Sequence, residues 1–215
     1  MNQNIELMIF DMDGTLTKEP NSWGLIHSEL QVALQAKKNA ELYYSKKIDY
    51  IRWAELDISL WVKKQLHYQQ LKKIISSKIE PIDGAIETIA ELKRNNIKTL
   101  IISSGLDIIC DHFKKILNYD HYFANRLIFD NYKRLKEIEV IVGFNKDEIL
   151  KKYLQEHEIP LSKTLSCGDN INDIKLFNCT PISIALNPKD ESLEDHATHI
   201  LYTDNLEDIL EIILK

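Results

Sequence analysis

The spacing of hydrophobic positions changes along the chain, and each change marks a different kind of predicted structure. The continuous apolar segment 5–10 predicts a buried β-strand, and it runs into the turn-forming residues 11–15. Between about 21 and 77, apolar residues recur every three or four positions, with no glycine after Gly24 and no proline. This part of the chain therefore predicts several packed helices.

A strong break at 81–84 ends the helical region, and strands and helices alternate after it. We expect strands at 98–102, 164–167, 182–186 and 199–202, and a short hairpin near 126–129 and 139–142. Helices are expected at 85–95, 107–117, 146–157, 173–177 and 206–214. This alternation predicts an α/β fold, a Rossmann-like parallel sheet with helices on both faces.

The order of these segments predicts a core interrupted by an insertion. The α/β core comprises residues 1–16 and 81–215, and an inserted all-α cap domain comprises residues 17–80. Open α/β sheets bind ligands outside the carboxyl ends of their strands. Because the insertion follows directly on the first strand, we expect the cap to lie above a binding site.

Composition and charge exclude several classes of protein. The chain is 44% hydrophobic and 28% charged, which is ordinary for a globular protein and argues against disorder. The apolar stretches are far shorter than the ~20 residues of a membrane span, so no membrane partner is expected. The formal net charge of −6 gives no general attraction to a nucleic-acid backbone.

The cysteines and the first residues favour a cytoplasmic location. Cys110, Cys167 and Cys179 are widely spaced and form no CxxC pair, which disfavours a disulfide framework and structural zinc. The first residues carry no basic segment of the kind that opens a secretory signal. The sequence does not indicate an oligomeric state.

Polar side chains that could carry chemistry follow three predicted strands and begin one predicted helix. They are Asp11, Asp13, Ser103, Ser104, Asp169, Asp173 and, at the start of the helix, Lys146. In a parallel sheet these side chains gather at one edge, where several carboxylates repel one another unless a divalent cation offsets their charge. Ligand sets made only of oxygen favour Mg²⁺ or a similar hard cation.

The same residues stand in four ordered motifs that resemble those of the haloacid dehalogenase (HAD) superfamily of phosphatases. The motifs are Asp11-Met12-Asp13-Gly14-Thr15, Ile101-Ile102-Ser103, Lys146, and Gly168-Asp169-Asn170-Ile171-Asn172-Asp173. Within the superfamily, segments 47–50 and 123–127 resemble the phosphoserine phosphatase-like branch, which carries a helical cap. The resemblance covers essentially the whole chain.

This resemblance implies an enzyme that hydrolyses a small phosphomonoester through an aspartyl-phosphate. Asp11 would be the nucleophile, and Asp13 would protonate the leaving group and later deprotonate water. Mg²⁺ would be held by Asp11, Asp169 and the carbonyl of Asp13, and Lys146 would neutralise charge beside it.

The remaining motif residues are expected to bind phosphate or support the metal site. Ser103, the backbone N–H of Ser104, Lys146 and Asn172 would contact the phosphate group, and Asp173 would orient metal-bound water or Lys146. Each residue also has a simpler interpretation, because Asp and Ser favour turns and helix caps and most helix lysines are solvated.

Two positions depart from the branch and bear on the substrate. Its phosphoserine-specific members use a Glu shortly after the first motif and an Arg in the cap, where this chain has Pro20, next to Glu19, and Asp57. Asp57 would repel a substrate carboxylate, so we expect a neutral or cationic head group rather than phosphoserine. The alternative is phosphoserine phosphatase itself, with Glu19 and another cation recognising the head group. A weaker alternative is a non-catalytic HAD-fold binding or signalling protein.

Overall fold

A seven-stranded sheet forms the centre of the computed structural model, which describes residues 5–214. The strands are β1 (Leu7–Phe10), β2 (Lys98–Leu106), β3 (His121–Phe129), β4 (Leu135–Glu139), β5 (Thr164–Gly168), β6 (Ile182–Leu186) and β7 (His199–Leu201). Their spatial order is β4-β3-β2-β1-β5-β6-β7, and each pair is parallel except β3 with β4. The fold is therefore the predicted α/β class.

Helices connect and follow the strands within the described range. They are α1 (Ser22–Glu29), α2 (Ala33–Tyr44), α3 (Tyr50–Lys63), α4 (Tyr68–Lys78), α5 (Ala85–Arg94), α6 (Asp107–Leu117), α7 (Lys146–Glu156), α8 (Ile174–Phe177) and α9 (Leu210–Ile213). Short 3₁₀ segments cover Leu161–Lys163, Ile171–Asp173, Glu191–His196 and Leu206–Ile209. The helices expected at 173–177 and 206–214 are thus each part 3₁₀ and part α.

Strand β1 shows why both faces of the sheet are covered. All four of its residues are buried, because it lies in the middle of the sheet. Met8 and Phe10 belong to the larger hydrophobic cluster, which also contains Phe113 of α6. Leu7 and Ile9 belong to a second cluster with Leu150 and other residues of α7. Alternate side chains of a strand point to opposite faces, so the continuous apolar segment is the signature of a strand buried on both sides.

The second strand of the hairpin lies earlier than predicted. We expected it near 139–142, but β4 ends at Glu139 and pairs antiparallel with β3. The backbone N–H groups of Ile141 and Val142 donate instead to Asn125 Oδ1, at 2.8 and 2.9 Å. A buried amide side chain therefore replaces a strand partner for this apolar segment.

The helices α1–α4, called the cap helices below, all lie in sequence between β1 and α5. The chain leaves and re-enters the sheet region side by side, because Thr17 and Pro81 form an isolated antiparallel bridge. Next to it, the Lys18 N–H donates to the Glu80 carbonyl at 2.9 Å. The division into a core at 1–16 and 81–215 and a cap at 17–80 remains our proposal, and residues 1–4 and 215 lie outside the described part. None of the helices within residues 5–214 combines the length and the hydropathy that a membrane span requires.

Candidate active site

The carboxyl ends of the central strands bring the predicted motif residues together. Asp11 directly follows β1 and Asp169 directly follows β5. These strands are neighbours, with Phe10 paired to Cys167. The two carboxylates are therefore set side by side by the register of the sheet, as expected from parallel strands.

Lys146 is the cation at the centre of this cluster. Its side chain is fully buried, and its Nζ lies 2.9 Å from Asp11 Oδ1 and 2.7 Å from Asp173 Oδ1. Burial acts to lower the pKa of Lys146, but the charges of Asp11 and Asp173 outweigh it and raise the pKa above the ordinary value. Lys146 is therefore charged and held between two carboxylates, which excludes the interpretation as a solvated helix lysine.

Negative charge is in excess around this lysine. The pKa of Asp169 is raised to about 8 by burial and then by repulsion from Asp11 and Asp173, which the nearby lysines only partly offset. The pKa of Asp173 is raised to about 6, mainly by burial, against the opposing effect of Lys146. A site of this kind gains stability when a cation binds to it.

The donor set fits a hard divalent cation. Carboxylate oxygens of Asp11, Asp169 and Asp173 lie within 4.8 Å of one another. Asp13 Oδ1 and Asp169 Oδ2 are buried and have no hydrogen-bond partner within the described part of the chain. Both oxygens of Asp173, in contrast, already accept hydrogen bonds, from Lys146 and from the backbone N–H groups of Asp169 and Asn170. The unpartnered oxygen of Asp169 is consistent with a Mg²⁺ ligand, and the hydrogen-bonded Asp173 is consistent with a supporting position. The free Oδ1 of Asp13 belongs to its side chain, whereas the ligand predicted at Asp13 is the backbone carbonyl.

Asp13 links the turn that follows β1 to α1, the first of the cap helices. Its Oδ2 accepts hydrogen bonds from the Ser22 backbone N–H at 2.9 Å and from the Ser22 hydroxyl at 2.5 Å. Burial raises the pKa of Asp13 to about 6, and the hydrogen bonds from Ser22 act against that rise. Asp13 is therefore placed to exchange a proton near neutral pH. Ser22 was not predicted, although its position at the first turn of α1 is a favourable one for a donor to a carboxylate.

The segment Ser103–Gly105 belongs to β2 rather than to a loop after it. Ser103 Oγ accepts a hydrogen bond from the Gly105 N–H at 3.0 Å, and Ser104 Oγ accepts one from Asn172 Nδ2 at 3.1 Å. Ser103, Ser104 and Asn172 are thus brought to the same edge as the carboxylates, as predicted.

Two further residues hold this segment in place and were not predicted as site residues. Asn125 Nδ2 donates to the Ser104 carbonyl at 2.8 Å, and Tyr50 Oη donates to the same carbonyl at 3.3 Å. Asn125 is completely buried, and an amide within a largely apolar strand is the signal that could have identified it.

A cavity of about 590 Å³ lies between the sheet edge and the cap helices. Asp11, Asp13 and Asp169 line the end of this cavity at the sheet edge, and Asp57 of α3 lines the cavity on the side of the cap helices. Glu19, which we expected as a possible recognition residue, is not among the described lining residues, and its Oε1 accepts a hydrogen bond from the Asn21 N–H at 3.0 Å.

Asp57 is buried in a network of polar side chains. Its Oδ1 accepts from Asn39 Nδ2 at 2.7 Å, and its Oδ2 lies 3.2 Å from His27 Nε2. Trp61 Nε1 donates to His27 Nδ1 at 2.9 Å. The structure therefore places Asp57 in the wall of the cavity, as the sequence comparison with the branch suggested.

Comparisons with known proteins identify the family. The haloacid dehalogenase-like hydrolase family matches residues 5–179, and the chain belongs to this family. It is therefore a HAD-type phosphatase, and it is similar to proteins named phosphoserine phosphatase.

One such relative, from Methanocaldococcus jannaschii, is 32% identical over 99% of this chain and 100% of its own length. Another, from Archaeoglobus fulgidus, is 27% identical over 99% of this chain and 61% of its own length. A solved structure described as a substrate-bound phosphoserine phosphatase complex has a TM-score of 0.82 and 31% identity, over 97% of this chain and 98% of that one.

These comparisons bear on the expected substrate. The expectation that phosphoserine is not the best substrate is not supported by them, and the alternative of a phosphoserine phosphatase fits better. The expectation considered only the carboxylate of phosphoserine, which Asp57 would repel. Phosphoserine also carries an ammonium group, which a carboxylate attracts.

Proposed function

We propose that this protein is a Mg²⁺-dependent phosphatase that hydrolyses phosphoserine through a phosphorylated Asp11. The observation that carries the proposal is the cluster of Asp11, Asp169 and the buried Lys146 at the sheet edge, where Asp11 and Asp169 line a cavity below the cap helices. The names of relatives that match along the whole chain support phosphoserine as the substrate. The cavity volume of about 590 Å³ suits a small metabolite as the substrate. We propose that the protein has no nucleic-acid or membrane partner and that it is located in the cytoplasm.

Asp11 and Asp13 divide the chemistry into two displacements. A carboxylate oxygen of Asp11 attacks phosphorus, the bond from phosphorus to the serine oxygen breaks, and Asp13 gives its proton to that oxygen. Water then attacks the phosphorus of the aspartyl-phosphate, Asp13 takes a proton from the water, and the Asp11 carboxylate leaves. The pKa of Asp13, raised to about 6 by burial, suits a group that must both give and take a proton.

The neighbouring residues stabilise and position the reacting groups. Mg²⁺ held by Asp11, Asp169 and the Asp13 carbonyl would supply charge neutralisation for the attack of one anion on another. Lys146 neutralises Asp11, and Asp173 fixes Lys146 through their 2.7 Å contact. Ser103, the Ser104 N–H and Asn172 would donate hydrogen bonds to the phosphate oxygens.

A second candidate substrate is a phosphomonoester with a cationic head group and no carboxylate. The observation that favours this substrate is the composition of the cavity lining. Among the described lining residues, Lys37 is the one lysine, it is exposed, and there is no arginine. A substrate carboxylate therefore finds little positive charge in the cavity.

Phosphate release from phosphoserine tests the proposed function. We expect turnover with Mg²⁺, none with EDTA, and a loss of at least ~10³-fold in kcat for Asp11→Asn, because an amide cannot form the acyl-phosphate. The exposed Asp195→Asn is the matched control and should keep full activity. Undiminished turnover by Asp11→Asn contradicts the mechanism. Turnover of other phosphomonoesters without turnover of phosphoserine contradicts only the substrate.

A further inference from the structure

Asp57 is a buried carboxylate of the cavity that the proposed catalytic steps do not use. It is 3% exposed and lies on the face of α3 that lines the cavity. The lining residues Tyr50, Trp53, Ala54 and Asp57 are spaced by three, one and three positions, which is one face of a helix. A buried ionisable group on such a face calls for a compensating partner.

The hydrogen bonds around His27 show that this partner is not the histidine. An indole N–H can only donate, so the bond from Trp61 Nε1 requires a lone pair on His27 Nδ1. The proton of the imidazole is then on Nε2, which donates to Asp57 Oδ2. His27 is therefore neutral in this network, and it stabilises Asp57 as a hydrogen-bond donor rather than as a cation.

Both oxygens of Asp57 therefore accept hydrogen bonds from neutral donors, and neither partner brings a positive charge. Asn39 contributes a neutral amide donor at 2.7 Å. Among the described residues, no lysine or arginine forms an ion pair with Asp57. A buried carboxylate with neutral partners on the wall of a cavity leaves one negative charge for a ligand to compensate.

The walls of the same cavity also suit a cation. Aromatic side chains line it from the cap helices and from the core: Trp23, Tyr43, Tyr50, Trp53 and Phe144. Tyr43 and Trp53 stack with centroids 4.6 Å apart, and Tyr50 meets Trp53 edge to face at 6.0 Å. The faces of aromatic rings attract ammonium groups, most strongly where water is displaced.

We infer that Asp57, held as an anion by neutral His27 and Asn39, is the specificity-determining residue for an ammonium group on the substrate. The inference rests on the proposed function of this cavity as the substrate site of a phosphatase. The substrate class is then a small phosphomonoester with an amine on its head group. Phosphoserine belongs to this class through its ammonium group, and phosphoethanolamine belongs to it without a carboxylate.

Pairs of substrates that differ only at the amine test this inference. Phosphoserine is paired with 3-phosphoglycerate, and phosphoethanolamine with 2-hydroxyethyl phosphate, each pair exchanging an ammonium for a hydroxyl. We expect kcat/KM to favour the amine member of each pair by about tenfold or more, since hydrogen bonds to charged groups are the strong ones. In Asp57→Asn the preference should fall to within about threefold, because the amide has the same shape without the charge.

Two further variants separate recognition from folding. Glu55→Gln removes an exposed charge from the same helix and should keep the full preference. Asp57→Glu keeps the charge and should retain most of the preference. Because each preference is a ratio measured on one preparation, a partly unfolded variant does not change it. An equal rate for both members in the wild type, or an unchanged preference in Asp57→Asn, overturns the inference.

A binding measurement makes the result independent of turnover. Calorimetry with Mg²⁺ on the Asp11→Asn protein should give a Kd about tenfold lower for phosphoethanolamine than for 2-hydroxyethyl phosphate. The double variant with Asp57→Asn should bind the two equally. Selective binding of phosphoethanolamine without hydrolysis by the wild type would contradict the proposed function and support the ammonium site. Hydrolysis of every substrate without selectivity would support the phosphatase function and overturn the ammonium site.

Discussion

Lys146 and its carboxylate partners at the edge of the sheet depend on one another because they are buried. Lys146 is fully buried and contacts both Asp11 and Asp173, so its charge compensates two carboxylates away from the protein surface. Asp173 in turn accepts hydrogen bonds from the N–H groups that follow β5. A lysine in this environment stabilises the fold, because each partner left unpaired would be a buried charge.

Replacing Lys146 by Met should therefore lower the free energy of unfolding by ~3–5 kcal/mol, since it leaves buried carboxylates without their cation. Urea denaturation of the metal-free protein measures the change. The control is Lys151→Met on the same helix, where an exposed lysine pairs with Asp147 and its removal should change stability little. Equal stability of Lys146→Met and the wild type would show that Lys146 does not hold the cluster together.

At the scale of elements, helix α3 combines a packing face with a face that lines the cavity. Trp61 is fully buried, and its ring centroid lies 5.3 Å from those of Trp23 and His27. The same turn region carries Asp57, so packing of the tryptophan fixes the direction from which the carboxylate faces the cavity. The N-terminal end of α3 is held by the Asp49 side chain, which accepts from the Arg52 N–H.

Trp61→Ala should cost ~3–5 kcal/mol of stability, because it removes a fully buried aromatic side chain and leaves a cavity. Ile51→Ala on the same helix is the control, since Ile51 is 54% exposed and should change the free energy of unfolding by no more than about 0.5 kcal/mol. Both are measured by chemical denaturation monitored in the far ultraviolet. A similar cost for both variants would contradict the assigned packing face.

At the scale of the whole molecule, the fold concentrates carboxylates at one edge of the sheet and encloses them with the cap helices. Asp11, Asp169 and Asp173 are each buried, and one lysine lies among them. The arrangement is unfavourable for the metal-free protein and favourable for cation binding, so stability and function are opposed at this edge.

Mg²⁺ should accordingly raise the Tm of the wild type in a saturable way, as expected for a ligand that binds the folded state. Asp169→Asn should have a higher Tm than the wild type without metal, and it should lose the response to Mg²⁺. The raised pKa of Asp169 means that folding near neutral pH must protonate a buried carboxylate or leave it repelled, and an amide removes that cost. Differential scanning calorimetry with NaCl at matched ionic strength gives the comparison. A response to NaCl equal to that to Mg²⁺ would indicate screening rather than binding.

The sequence predicted most elements of this fold because their signals are local. The apolar segment 5–10, the helix at Asp107–Leu117 and the strand at Ile182–Leu186 were all expected and are present. The pattern of apolar residues predicts the second hairpin strand near 139–142, whereas the strand lies at Leu135–Glu139. The apolar residues after the strand are held by hydrogen bonds to Asn125, which is a contact between distant parts of the chain. Periodicity carries no information about such a contact.

By itself the sequence indicated which residues share the sheet edge, because their places relative to the apolar segments are properties of the linear chain. Asp11 and Asp169 directly follow apolar segments that form strands, Ser103 comes after the apolar part of another, and Lys146 begins a helix. The tertiary structure alone decided which neutral donors surround Asp57, and that Glu19 is not among the described residues that line the cavity. Charge and protonation in a buried site depend on which donors and acceptors surround each group. Those neighbours come from α1, α2 and α3, and only the packing of these helices brings them together.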